Sequence, residues 1–318
     1  MITVLSTAEM SGPATYRRSA RERAKRKSYT MPDASSAGTI DLGGDLTVNR
    51  FGFGAMRITG DGFWGPPRDS DEAIALLRRV VESGVNFIDT ADSYGPNVSE
   101  ELIAEALYPY PDDLVVTTKA GMSRTGPNDA QADGFWARDG RPDRIIEACE
   151  GSLRRLKVDE ISLYQLHMPD PKVPFEETIG AFVRLKEQGK IRHFGLSNVN
   201  EEQIRIAQRM IPVVSVQNRY NLDDRRSESI IDLCEQEQIA FTSYAPILGG
   251  GHGDKAVRQI AKQHGASERQ VMLAWLLARS PQNLPIPGTG HKDHFEENLA
   301  AVDLKLSQAE VASLTRDV

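Results

Sequence analysis

Eight short apolar runs, at about residues 51–54, 86–89, 114–118, 161–166, 191–196, 213–217, 240–244 and 284–287, punctuate a chain whose intervening segments carry helical periodicity. Ile74, Leu77, Val80 and Val81 share one helical face, as do Leu102, Ile103, Ala106 and Leu107, and less strictly Ile179, Phe182, Val183 and Leu185. Strands alternating with helices need crossover connections and therefore lie parallel, and eight such units close the sheet into an α/β (β/α)8 TIM barrel. An open doubly wound sheet shares this alternation, and periodicity alone does not separate the two. Ahead of the first run, residues 38–42 and 46–49 flank Gly43-Gly44-Asp45, which predicts an N-terminal β-hairpin. A length of 318 residues suits one barrel around one core.

In a barrel of this kind, reactive groups gather at the C-terminal ends of the strands. Asp89, Tyr94, Lys119 and His167 each fall at such an end, in Phe87-Ile88-Asp89, Leu114-Val115-Val116-Thr117-Thr118-Lys119 and Ile161-Ser162-Leu163-Tyr164-Gln165-Leu166-His167. Taken singly, each has an ordinary explanation: a tyrosine as an amphipathic plug, a lysine that snorkels, a histidine hydrogen-bonded in the core. Taken together, they point to chemistry. A buried lysine and aspartate are costly unless they pair, and a phenol with a reference pKa near 10 needs a neighbouring ammonium before its proton is of use at neutral pH. A proton-donating phenol, a cation, a carboxylate holding the cation and an imidazole are what reduction of a carbonyl requires.

Other function classes find less support. A nucleotide-binding open sheet would carry Gly-x-Gly-x-x-Gly after its first strand; Gly52-Phe53-Gly54-Ala55-Met56-Arg57 begins that pattern and places Arg57 where the last glycine belongs. There is no P-loop, paired-cysteine zinc site or Gly-x-Ser-x-Gly elbow. His193, His252, His264, His291 and His294 show no metal-ligand spacing, so no metal is expected. The formal charge of -7 argues against a nucleic-acid partner, and no run of about 18 apolar residues exists to span a membrane. Cys149 and Cys234 fall in helical patterns as reduced core residues, which favours a cytoplasmic address. Gly249-Gly250-Gly251-His252-Gly253 reads equally as a mobile flap or a solvated connector.

The first thirty residues stand apart, with seven basic side chains between Arg17 and Lys27 against Glu9 and Glu22, or +5 within the total of -7. Residues 1–37 are expected to be a disordered basic extension and residues 38–318 the barrel. Met31, followed by Pro32-Asp33-Ala34-Ser35-Ser36, is an alternative start.

Phe87-Ile88-Asp89-Thr90-Ala91-Asp92-Ser93-Tyr94-Gly95, with Thr118-Lys119 and Leu166-His167 downstream, resembles the aldo-keto reductases. The likeness continues through residues 189–198, Val216-Gln217-Asn218, Ser243-Tyr244-Ala245-Pro246 and Pro285-Ile286-Pro287-Gly288-Thr289, covering about residues 38–316 in order. It implies a (β/α)8 barrel that binds NADPH across its mouth, which accounts for the missing glycine fingerprint. By the resemblance, Tyr94 is the general acid, Lys119 lowers its pKa, Asp89 pairs with Lys119, and His167 orients the substrate oxygen. Ser197, Asn198 and Gln217 match positions that bind the carboxamide, and Tyr244 matches the one that stacks under the nicotinamide. Gly54, Met56, Asp89, Pro246, Leu248, Gly249, Gly288, Thr289 and His294 are further implied cofactor contacts, with Glu297 and Asn298 at the adenine. The best-known members carry a lysine and an arginine where this chain has Gly288 and His294; Thr289, His294 and the backbone after Gly288 are left to bind phosphate, and the likeness to bacterial relatives with Ile-Pro-Gly-Thr implies NADPH in preference to NADH.

The segments 63–69, 106–113 and 286–289 are most similar to bacterial pyridoxal-reductase-like members, which implies an aromatic or bulky aldehyde. Trp64 and Trp136, with His167, are the implied pocket residues. Phe63, Arg124, Phe135 and Arg138 lie in the same loops, which read equally as pocket walls or as a simple lid. The expected partner is a small aldehyde or ketone; the sequence leaves the oligomeric state open, and a monomer is compatible with it. A redox-sensing cofactor-binding subunit without turnover is the alternative reading.

Overall fold

The computed structural model describes residues 31–127, 136–247 and 255–316, so the basic segment 1–30, Phe135 and the run 249–253 lie outside it. The chain enters through a 3-10 turn at Ala34–Ala37 and an antiparallel hairpin of β1 (Thr39–Leu42) and β2 (Leu46–Asn49). It continues through β3 (Phe53–Gly54), β4 (Phe87–Asp89) and β5 (Val115–Ala120), then a small hairpin of β6 (Met122–Arg124) and β7 (Trp136–Arg138). The remaining strands are β8 (Ile161–Leu166), β9 (Ile191–Ser197), β10 (Val213–Arg219), β11 (Ala240–Tyr244) and β12 (Asn283–Pro285). Helices α1 (Ser70–Glu82), α2 (Val98–Leu107), α3 (Pro142–Leu156), α4 (Phe175–Glu187), α5 (Glu201–Gln208) and α6 (Glu228–Gln236) alternate with the strands. They are followed by α7 (Lys255–His264), α8 (Glu268–Arg279), α9 (Lys292–Leu299) and α10 (Gln308–Arg316).

All eight expected runs form one parallel sheet in the order β12-β11-β10-β9-β8-β5-β4-β3. Its two edges meet: Gly52 N–H donates to Pro285 O at 3.0 Å and Gly54 N–H to Pro287 O at 3.4 Å. This closure explains two glycines without reference to any ligand. A Cβ on Gly54 would sit 2.9 Å from Ile286 O, and one on Gly288 only 2.4 Å from Gly54 O. The barrel, not the open sheet, is the fold.

Burial follows the period-two rule of strands. On β5, Val115, Thr117 and Lys119 face the barrel axis, while Val116 joins the outer core beneath the helices. On β8, Leu163 and Gln165 face inward and Tyr164 and Leu166 outward. Climbing either strand, the interior thus changes from apolar to polar to reactive. The lower end is sealed by Ile40, Leu42 and Val48 of the hairpin, packed with Phe87, Val115, Leu163, Ala240, Leu284 and Ile286. This apolar layer closes the lower end beneath the polar residues.

The helix faces read from periodicity are buried, apart from Val81 and Val183, which are half-buried at the margins. Asp69 caps α1 by accepting from Glu72 N–H, worth about 1 kcal/mol. Cys149 and Cys234 are buried free thiols on α3 and α6. Residues 33–37, ahead of the expected boundary at 38, also make contacts with the barrel. Asp33 caps the 3-10 turn, Ala34 N–H donates to Ser83 O at 2.9 Å, and the Ala34 side chain is fully buried. A four-residue turn of Ala and Ser has no hydrophobic period to announce it. Among the described residues, no helix is long and apolar enough to cross a membrane.

Candidate active site

Lys119 ends the inward row of β5 with no exposure to solvent, and its three ammonium protons have three acceptors. Nζ donates to Asp89 Oδ1 at 2.6 Å, to Thr90 O at 2.8 Å and to Tyr94 Oη at 3.3 Å. Asp89 ends β4, and its second oxygen accepts from Gln217 Nε2 at 2.7 Å and Gln165 Nε2 at 3.3 Å. A buried ion pair is tolerable only when its remaining hydrogen-bonding capacity is filled in this way. Since Tyr94 Oη accepts from the ammonium, its own proton is left to donate elsewhere.

Burial raises the Tyr94 pKa and outweighs the Lys119 ammonium, which acts to lower it, so the phenol lies above its ordinary value. Lys119 acts in the expected direction, but desolvation of a fully enclosed phenolate is the larger effect. For Lys119, burial acts to lower the pKa but is overcome by Asp89 and Tyr94, and the net direction is upward. Tyr94 is therefore a neutral acid beside a fixed cation. Burial, reinforced by Lys119, holds the His167 imidazole well below its ordinary value, so it is neutral at pH 7.

His167 follows β8, with its N–H bonded to Ala120 O at 2.7 Å. Ser93 Oγ lies 3.4 Å from Nδ1; with the hydroxyl donating there, the ring proton sits on Nε2. The imidazole and the Tyr94 ring meet edge to face, with centroids 5.8 Å apart. Trp136, carried on β7, stands 6.4 Å from Tyr94 and 6.2 Å from His167, closing a three-ring group. Trp64 reaches the same neighbourhood through its backbone, which bridges to Gly95. Phe63 lies under the Arg57 guanidinium, 5.6 Å from Cζ.

A second chain of hydrogen bonds runs beside this group. Tyr244 Oη donates to Asn198 Oδ1 at 2.8 Å, and Asn198 Nδ2 donates to Ser197 Oγ and to His167 O, both at 3.0 Å. Ser197, Asn198, Gln217 and Tyr244 are thus gathered around the reactive cluster. The Gln217 amide nitrogen serves Asp89. Gln165 was not anticipated as part of the site. Its signal was its place two residues before His167 on one strand, hence on the same face.

The remaining implied cofactor positions make contacts of their own. Met56 O accepts from Thr59 Oγ1, Pro246 is buried, and Thr289 Oγ1 accepts from His291 N–H at 3.1 Å. His294 is exposed, its ring 5.3 Å from that of His291. Glu297 lies 3.8 Å from Arg269. Asn298 is buried on α9, with Oδ1 lacking a hydrogen-bond partner among the described residues. Leu248 and Gly249 lie outside the described residues. His193 and His264 are taken up by Asp45 and Glu310.

The Aldo/keto reductase family model matches residues 50–316. An uncharacterized oxidoreductase of Schizosaccharomyces pombe is 45% identical over 295 residues, covering 92% of this chain and 94% of the relative. Pyridoxine 4-dehydrogenase of Escherichia coli is 40% identical over 287 residues, covering 88% and 98%. Among solved structures, an aldo/keto reductase from Klebsiella pneumoniae in complex with NADP and acetate superposes with a TM-score of 0.73. It is 27% identical, with 87% of this chain and 94% of that chain covered. With the closed parallel barrel and the cluster at its mouth, these matches place the chain in the aldo/keto reductase family.

Proposed function

We propose that the protein reduces an aldehyde or ketone to an alcohol with NADPH in preference to NADH, that its substrate carries a ring, and that pyridoxal is the first candidate. One observation carries the reading: Lys119 Nζ donates to Tyr94 Oη while pairing with Asp89 in a site shielded from water. Packing alone gives no reason to bury a cation against a phenol; proton donation does.

The nicotinamide, when bound, supplies the hydride. Tyr94 gives its proton to the carbonyl oxygen, and Lys119 stabilises the negative charge that then develops on Oη. Asp89, held by Gln217 and Gln165, keeps the ammonium in place. His167, neutral and protonated on Nε2, hydrogen-bonds the substrate oxygen and fixes its direction. Solvent restores the Tyr94 proton. One site serves both directions, and the cofactor ratio selects between them.

The residues fit a nicotinamide dinucleotide. Gln217 uses only Nε2 internally, and the orphaned Asn298 Oδ1 is a buried acceptor awaiting a donor such as an adenine amine. Ser197, Asn198 and Gln217 would hold the carboxamide and Tyr244 the ring face, with Thr289, His294 and the backbone after Gly288 at the phosphate end. The Klebsiella structure contains NADP, and the E. coli relative is named for dehydrogenation of pyridoxine, the reverse of an aldehyde reduction. The three-ring group of Tyr94, His167 and Trp136 suits a flat substrate.

NADPH consumption is expected with pyridoxal and with some members of a panel of aromatic aldehydes and ring ketones. Cofactor binding with no turnover of any of them would contradict the proposal and favour a cofactor-sensing role. The pH profile is a second check. Because His167 is held below its ordinary value and Tyr94 above its own, kcat/KM for reduction should show no acid limb near pH 6.5 and no alkaline limb until above pH ~10. A limb at the usual imidazole pKa would contradict the neutral assignment of His167.

A further inference from the structure

Arg124 is the one charged side chain beside the three-ring group that lacks an ionic partner among the described residues. It ends β6 opposite Trp136 of β7 and is only 8% exposed. Nη2 donates to Gly62 O at 2.9 Å and Gly126 O at 3.0 Å, whereas Nε and Nη1 are buried with no acceptor among the described residues. Cζ lies 3.9 Å from the centroid of the Trp136 ring. Burial moves the guanidinium pKa downward, and among the described residues no carboxylate acts against it. Arg79 and Arg155, also partly buried, are paired with Glu296 and Glu100, and Arg50 has its guanidinium taken up by the carbonyls of Leu277, Ser280 and Asn283, whereas two of the three guanidinium nitrogens of Arg124 have no acceptor among the described residues.

A cation withdrawn from water without a counter-ion is unfavourable, and the indole face and two carbonyls offset this only in part. Among the described residues, no nearby carboxylate supplies the missing charge. Asp89 is already paired with Lys119, Asp61 with Arg68 and Asp139 with Arg141. Asp92 is pushed up to about 8 by burial and by Glu100, which leaves it mostly uncharged at pH 7. The position of Arg124 also joins two loops, since Gly62 follows the first barrel strand and Gly126 the third.

We infer that Arg124 is a specificity-determining residue: it positions the Trp136 indole as a wall of the substrate pocket and gives that wall a positive charge, favouring ring carbonyl compounds that bear negative charge. The inference rests on the reading of the three-ring group as a substrate pocket. At roughly 10 Å and an effective dielectric near 20, one unit charge shifts binding on the order of tenfold.

The test uses three matched ligands, 4-carboxybenzamide, benzamide and 4-(trimethylammonio)benzamide, whose amide carbonyls resist reduction. Their binding to the cofactor-loaded protein is read by quenching of tryptophan fluorescence. The wild type should bind the anion about tenfold more tightly than the neutral ligand, and the cation more weakly still. Arg124→Gln should bring all three within about twofold, while Arg124→Lys should keep the order, and added salt should weaken it. No order in the wild type, or an unchanged order in Arg124→Gln, overturns the inference. Should Arg124→Gln fail to fold, the wild-type order and its retention in Arg124→Lys decide. The corresponding aldehydes, assayed for turnover, separate the two claims. Normal reduction without charge order sinks this inference alone, whereas charge-ordered binding without reduction sinks the proposed activity alone.

Discussion

Replacing Tyr94 by phenylalanine is expected to lower the single-turnover rate of carbonyl reduction by about 10²–10⁴-fold while leaving cofactor affinity within about twofold. The substitution preserves the ring and its edge-to-face contacts with His167 and Trp136 and deletes only the hydroxyl. In the proposed mechanism, what is lost is the proton donor at the carbonyl oxygen and the site beside Lys119 where negative charge develops. The fold should suffer little, since Lys119 keeps two of its three acceptors, Asp89 Oδ1 and Thr90 O. Stopped-flow measurement of NADPH oxidation under single-turnover conditions, with cofactor titration alongside, separates chemistry from binding. An unaltered rate would remove Tyr94 from its assigned role.

Lys119→Met should damage stability as well as catalysis. Asp89 would be left as a buried carboxylate with two amide donors and no counter-ion, a change worth about 3–5 kcal/mol for an enclosed pair. The sign of the second substitution is diagnostic: Asp89→Asn added to Lys119→Met should recover part of the loss, because it removes the stranded charge. Urea unfolding of the wild type, the single variant and the double variant measures this directly. A single variant as stable as the wild type would mean that the pair is not buried as described. Both variants should remain poor reductases, since neither supplies the cation beside Tyr94.

The barrel was legible because parallel strands, buried on both faces, read as unbroken apolar runs, and eight of these recur between amphipathic helices. Asp89, Lys119 and His167 were legible for a related reason: an ionisable residue at the end of such a run has no place in a packed interior unless it is used. The hairpin of β6 and β7 was not, because three-residue strands in a polar loop have no period to detect, although it is this hairpin that brings Trp136 against Tyr94 and His167. Nor was the attachment of Gln165 and Gln217 to Asp89, which joins residues 76 and 128 positions apart through a barrel interior that no local pattern encodes. The direction of the Tyr94 shift also required the fold, since local sequence reveals the neighbouring cation but not the depth of burial that outweighs it.

The most direct test of the account is a crystal structure of the protein with oxidised cofactor and a non-reducible amide analogue of an accepted aldehyde. The account predicts the amide oxygen within about 2.6–3.2 Å of both Tyr94 Oη and His167 Nε2, with Lys119 Nζ still bridging Asp89 and the phenol. An oxygen held elsewhere, out of reach of the Tyr94 hydroxyl, would contradict it.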